Sequence, residues 1–490
     1  MNVKEAGHFA RLRAAGLGCA VALGLATMTC AQAQNPGQNP SSTSNPFYGS
    51  VTAHTITDEP LKLSLDDAIR RGFENNLGLR EAESGEKLFH GERNIALQEF
   101  LPTINLTGGT GVFQHNLVAE GFGPGTLKEF ASLFPNGLPA GLSLITKDDL
   151  TQGQLTFNQT LFSAVVIAGW KAAGAAERSA YFSKMSARGE VVQQVATVYL
   201  RVIADASQVD NATALEKSDE VSLQHAHDAH SAGTAANLDE LRARVQLQTQ
   251  QQTLISAQNA EEKDLILLKR EIGIDPGQKI VLTDPAPYSD LGDQTPAEVR
   301  AVAYKNRQDY QNLQNQVVEL RALHSAYKAQ RLPSLSFSGN FGVDKVNGSP
   351  SYGVFAAVGT LNLPIFREAG IRGEVDASAA QLAAVNAQLD DLRGKIDQQV
   401  RSALLDADAA KKLVDVAKSN VELATQELSD ETDRVNSGVD DNLPLVTAQA
   451  SLASAQTNYV QSLYQYNVAK LALARSAGII EMQYRAYLGR

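Results

Sequence analysis

The stretch Leu332-Pro333-Ser334-Leu335-Ser336-Phe337 occurs in near-copy as Leu101-Pro102-Thr103-Ile104-Asn105-Leu106, 231 positions earlier. A second echo lies further on. Leu267-Leu268-Lys269-Arg270-Glu271-Ile272-Gly273-Ile274 returns as Ala472-Leu473-Ala474-Arg475-Ser476-Ala477-Gly478-Ile479, and Ser231-Ala232-Gly233 as Asn436-Ser437-Gly438, both at an offset of 205. The chain is therefore an internal duplication. The offset changes between the two strands of each copy, so copy one carries about 27 extra residues in its Gly/Pro-rich loop, roughly Gln114 to Leu150.

Each copy reads as helix, two strands, long helix, tight turn, helix. Ser64 with Asp67 resembles a capping box, and Thr295-Pro296-Ala297-Glu298 is a fuller one with proline at the first helical position. The strands show period two. Leu335, Phe337, Phe341 and Val343 alternate with Ser334, Ser336, Ser338 and Asn340, and Leu155, Phe157 and Leu161 alternate with Gln154, Thr156, Asn158 and Thr160. One apolar and one polar face suits a barrel strand between lipid and water. It equally suits a half-buried strand of a soluble sheet.

The helices separate these readings. From Arg367 to Val435 there is no proline, and Ser163 to His230 is nearly as long. A helix of that length reaches roughly 100 Å. Two shorter helices of about 35 residues in each copy, laid end to end, match the long one. Val375, Leu382, Leu389 and Ile396 recur every seven residues, as do Val414, Val421, Leu428 and Val435. Between these series the phase slips by four, a stutter that locally unwinds a supercoil. The return helix has one large seam (Leu445, Leu452, Tyr459, Tyr466, Leu473) and one small seam (Ala448, Ala455, Ser462, Ala469, Ser476), which lets helices approach closely. Such seams also occur in ordinary bundle cores.

The first 33 residues read as an export leader. Lys4, Arg11 and Arg13 precede a small apolar run from Ala14 to Met28, and Ala31-Gln32-Ala33 places cleavage before Gln34. A lipoprotein reading competes through Cys30, although Thr29 is a poor fit to the small residue required before it. Cys19 and Cys30 are the only cysteines, so a mature chain would have no thiol chemistry. The formal net charge of -11 argues against nucleic acid as a partner. The expected organisation is leader 1–33, flexible segment 34–62, first repeat 63–274, linker 275–294, second repeat 295–479 and tail 480–490.

Two strands per copy make four, too few to close a barrel, and lipid tolerates no open sheet edge. Closure requires strands from other chains. Three chains would supply twelve, enough for a water-filled lumen, though the physics alone does not choose three. His225, His227, Asp228 and His230 form the one cluster that invites a metal reading, but His225 and His230 point apart on a helix. No catalytic constellation, phosphate loop or cofactor motif is found. The competing class is a periplasmic coiled-coil spacer or adaptor without a pore, which leaves the paired amphipathic strands unexplained.

At this point the chain resembles the TolC-type outer-membrane efflux proteins. The resemblance is carried by Leu65-Asp66-Asp67-Ala68-Ile69 with Asn75-Asn76, by Leu332-Pro333-Ser334-Leu335, by Leu361-Asn362-Leu363-Pro364-Ile365-Phe366 with Gly373, and by Leu161-Phe162 with Gly169. It implies a mixed α/β membrane protein: a homotrimer whose four strands per protomer form a twelve-stranded barrel in outer-membrane lipid, continued by a helical tunnel in the periplasm. It also implies a periplasmic adaptor (membrane fusion) protein and an inner-membrane pump as partners, with no cofactor. Strand–helix junctions fall at Pro102, Phe162, Pro333, Pro364 and Phe366. The tip turns, and with them the adaptor contacts, fall at Ala232, Gly233 and Thr234 and at Ser437, Gly438 and Val439. One family aspartate at the tunnel entrance falls on Asp239. The other two fall on Pro444 and Thr447, leaving Asp440 and Asp441 as nearby substitutes in an acidic ring.

Overall fold

The computed structural model describes residues 42–51, 56, 59–116, 118–119, 145–234, 236–292, 294–437 and 442–489. Contacts divide the chain into Met1–Ser44 and Asn45–Arg490, and the second unit carries the architecture. The leader 1–33 lies outside the described residues.

Copy one runs β1 (Leu61–Leu63), α1 (Leu65–Asn75), α2 (Leu77–Gln98), β2 (Thr103–Asn116), β3 (Ile145–Phe162), α3 (Ala164–Ser231) and α4 (Asn237–Ile272). Copy two follows with β4 (Ile280–Leu282), α5 (Pro296–Asn306), α6 (Gln308–Ala329), β5 (Ser334–Val346), β6 (Tyr352–Asn362), α7 (Glu368–Asn436) and α8 (Asn442–Ser476), then α9 (Ile480–Leu488). The long helices α3 and α7 have 68 and 69 residues, each about 100 Å.

Helix packing has one order at two levels. On the strand side, α2 packs on α3, α3 on α6 and α6 on α7; on the turn side, α4 packs on α3, α3 on α8 and α8 on α7. Both layers end on copy one's short helix at one margin and on α7 at the other. The sheet repeats that order as β2-β3-β5-β6. The main core lies at the waist between the levels, where Val191, Val195, Tyr199, Leu268, Ile272, Ile396, Val400 and Leu473 are all buried. The buried residues of α7 place the stutter. Leu389 and Ile396 keep one series, then Val400, Ala403, Ala407, Ala410, Val414 and Ala417 continue at alternating three and four, so the extra four residues fall at Ile396–Val400.

Four expectations need correction. The opening helix of each copy is two helices. Asn76 leaves the helical region and its side chain caps α2 at the Gly78 and Leu79 amides, and Arg307 makes the equivalent break between α5 and α6. The copy-one hairpin is longer than expected: Gln114–Asn116 and Ile145–Leu150 pair as strand, with Gln114 facing Lys147 and Asn116 facing Ile145. Residues 480–488 form a helix whose Ile480, Tyr484 and Leu488 share a buried face. Within the segment expected to be flexible, Asn45 caps the turn Pro46–Tyr48, and β1 pairs parallel with β4 of the linker.

Candidate functional site

Reading across the sheet by register, Leu106, Leu155, Phe341 and Phe355 form one row, and Asn105, Thr156, Asn340 and Ala356 form the next on the opposite face. Side chains alternate across a pleat, so the sheet has one apolar and one largely polar surface. Among the described residues the apolar side chains lie open: Leu106 is 81% exposed, Phe341 68% and Phe355 80%. Among the described residues no strand lies beside the outer margin of β2 or of β6.

Pro102 and Pro333 stand immediately before β2 and β5, where a missing N–H interrupts no ladder. Phe162 ends β3 beside a bulge at Thr160 and faces Leu335. Pro364 and Phe366 lie between β6 and α7, and Phe366 is 99% exposed. Behind the junctions, Arg331 bridges to Glu368 at 2.8 Å, and Gln330 donates to Glu374.

At the other end, Ala232-Gly233-Thr234 turns α3 into α4. Gly233 has φ +76°, which only glycine adopts cheaply, and the Thr234 hydroxyl donates to the Ala229 carbonyl at 2.9 Å. Ser437 caps α7 through the Asp433 carbonyl at 2.7 Å. Gly438, Val439, Asp440 and Asp441 lie outside the described residues. Asp239 is half-covered and ion-paired with Arg242 at 3.3 Å. Nearby, His227 Nδ1 lies 3.3 Å from Glu240, which Arg244 also contacts at 2.9 Å. This trio ties α3 to α4 just inside the tip and gives His227 a carboxylate partner.

A model of the outer membrane efflux protein family matches residues 69–273 and 300–479. The chain belongs to the outer membrane efflux protein family. The toluene efflux pump outer membrane protein TtgF of Pseudomonas putida is 26% identical over 310 residues, 59% of this chain and 60% of that relative, so less than two thirds of the relative is spanned. Among solved structures, a membrane protein from Pseudomonas aeruginosa has a TM-score of 0.71 at 18% identity, covering 92% of this chain and all of that one. The CmeC outer membrane channel of Campylobacter jejuni has a TM-score of 0.68 at 14% identity, covering 92% and 94%. These structures share the fold of this efflux-family chain, including its strand and helix layers.

The family fold here holds buried ionisable groups that periodicity did not reveal. Glu271, fully buried near the end of α4, accepts a hydrogen bond from Gln194 at 3.0 Å, and burial pushes its carboxyl up to about 8. Asp205 on α3 is raised by burial and by the Asp264 carboxyl it is hydrogen-bonded to, while Arg201 lies 2.8 Å from Asp264. Burial also raises Asp219 to about 6 and lowers Lys470 to about 8. Lys470 donates to the Ser289 carbonyl and hydroxyl, both at 3.2 Å, fastening the linker between the copies onto α8. Arg307 donates to Gln399 at 2.7 Å and to the Ser476 carbonyl at 3.3 Å, so it fastens α6 to α7 and to the end of α8.

Proposed function

We propose that this chain is one protomer of a trimeric exit duct through the outer membrane, serving a tripartite efflux or type I secretion system. The single observation that carries the reading is that one layer order ends in an open margin at every level. Among the described residues the sheet ends at the outer sides of β2 and β6. The strand-side helices end in α2, with Leu88 and Ile95 exposed, and the turn-side helices in α4, with Leu238, Leu241, Val245 and Ile255 exposed. The opposite margin is α7 throughout, with Leu405, Leu413, Val416 and Leu423 exposed on one stripe.

A layer with two unlike margins forms a closed ring by heterologous contacts. Three chains give twelve strands, a barrel with its apolar surface toward lipid and the Asn105–Thr156–Asn340 rows toward a water-filled lumen. The helices continue that lumen into the periplasm. The duct is passive. A periplasmic adaptor docks near the tip turns and opens it, an inner-membrane pump drives and selects cargo, and Asp239, Asp440 and Asp441 line the entrance. The protein performs no catalysis and needs no cofactor.

Purified protein in planar bilayers tests this. Discrete ion-conducting steps from a detergent-stable, heat-dissociable oligomer are expected. A monomer soluble without detergent and silent in bilayers would support the pore-free spacer instead.

A further inference from the structure

A cavity of about 440 Å³ opens along the seam where α3 of copy one meets α8 of copy two. On α3 its wall is Leu200, Ala204, Ser207 and Asn211, spaced three or four apart and so on one face of the helix. Ala204 and Ser207 are small, which leaves room that larger side chains would fill. On α8 the wall includes Gln456, Val460, Tyr464 and Asn467 and runs about 16 Å along the helix. Val421 of α7 and Ala286 and Pro287 of the linker also line it. Beside the cavity Gln208 and Thr457 exchange two hydrogen bonds, at 3.2 and 3.3 Å, which join α3 to α8.

The lining has a definite chemistry. Among the described residues that form it none is charged, and Tyr459 and Tyr464 contribute two aromatic rings. Asn467 is 2% exposed. Its Nδ2 donates to the Pro287 carbonyl at 2.8 Å, which fixes the orientation of the amide. Its Oδ1 is then a buried acceptor with no donor among the described residues, and so is the Gln456 Oε1. Buried acceptors are costly to leave unpaired. A mostly apolar cavity of this volume with a few fixed polar atoms is the usual form of a small-molecule site.

We propose that this slot binds an uncharged, flat aromatic alcohol, with its rings between Leu200 and the two tyrosines and its hydroxyl donating to Asn467 Oδ1. A charged ligand would shed its water and find no countercharge in the lining. A purely apolar one would leave Asn467 unpaired. The duplication separates this lining from what the repeated helix alone requires. At the offset of 205, the α4 counterparts of Tyr459, Tyr464 and Asn467 are Leu254, Asn259 and Glu262, so the rings and the neutral amide belong to copy two only. Because the walls come from both copies and the linker, a bound ligand favours the arrangement in which they meet over any in which α8 shifts along α3.

Thiol labelling tests the site, since Cys19 and Cys30 are the only native cysteines and both precede residue 34. Ala204→Cys puts a thiol in the α3 wall. Gly394→Cys puts one on α7 where a Cβ meets nothing within 4 Å. On the detergent-solubilised chain at neutral pH, 2-naphthol should protect Ala204→Cys from monobromobimane saturably and leave Gly394→Cys unprotected. Half-protection should need about tenfold more 2-methoxynaphthalene, which keeps the rings and lacks the donor. The anion 2-naphthoate should not protect. In the Asn467→Leu background the naphthol and its methyl ether should protect at the same concentration. Melting of the chain without engineered thiols gives a second reading: 2-naphthol should raise the midpoint at concentrations where the ether does not. Naphthol that changes neither labelling nor melting overturns the site. Equal protection by the ether or by the anion, or a preference for naphthol that survives Asn467→Leu, overturns the assignment of an alcohol held by Asn467. Neither readout depends on ring closure or conduction, so failure here leaves the exit duct standing.

Discussion

Replacing Glu271 by glutamine removes a charge site from the driest part of the waist. Burial raises the carboxyl from its ordinary 4.5 to about 8 in the folded chain, and the nearby C-terminal end of α4 also disfavours an anion. A carboxyl raised on folding contributes its stability fully below the unfolded value and loses it as pH rises through the folded one. At high pH the loss approaches about 5 kcal/mol, of which about 4 kcal/mol develops between pH 5 and pH 9. The substituted amide would keep an oxygen to accept from Gln194 and have no charge to desolvate. Thermal unfolding followed by far-ultraviolet circular dichroism, on the detergent-solubilised protein at pH 5 and pH 9, reads the difference. At about 1–2 °C per kcal/mol in a chain this long, the variant should gain roughly 4–8 °C on the wild type between those pH values. Parallel melting curves for the two proteins across this range would refute the burial-driven shift.

Ile396→Ala, at a fully buried position where the α7 seam changes phase, should cost about 2–5 kcal/mol, seen as a fall in melting temperature without change in oligomer size. Arg307→Ala strips the forked guanidinium from Asp309 as well as from Gln399 and the Ser476 carbonyl and should cost about 3 kcal/mol; Arg307→Lys, lacking the fork, should recover less than half by the same melt. Asp440→Asn/Asp441→Asn should reduce cation selectivity of the conducting trimer, read as a shift of reversal potential in a salt gradient, and an unchanged potential would remove these residues from the entrance. Arg331→Ala breaks an exposed pair with Glu368 and should leave the melting temperature at the wild-type value.

Much of this fold is written in side-chain periods. The alternation in β5, the recurring Leu-Pro motif and the glycines at 233, 273 and 478 each impose a local geometry, and the structure places them at strand, junction and turn. Where the period was the only guide, the reading stopped short. Asn76 and Arg307 each interrupt a continuous apolar pattern through one extended backbone angle, joined at Asn76 by a side-chain cap, which leaves no gap in the hydrophobic spacing. β1 and β4 are three residues each, too short for alternation to stand out from chance. Glu271 and Asp205 look like surface acids in a polar helix. Their burial arises only when α3, α4 and α8 converge at the waist, a property of the assembled layers and not of any one segment. The tip acids could be proposed from spacing alone, but Asp239 turns out to share its charge with Arg242.

The unequal hairpins give the outer mouth a different symmetry from the wall beneath it. Rungs between the copies stop at Leu150 opposite Val346, while β2 and β3 go on pairing to Asn116 and Ile145. Copy one therefore rises roughly 15 Å above the shared rungs at the usual advance per strand residue. A ring of three such chains is close to sixfold along its shaft but ends in a crenellated crown, in which three taller hairpins, the merlons, alternate with three shorter ones. Antibodies or phages approaching from outside would meet the merlons first, and that crown could be re-engineered without disturbing the shaft.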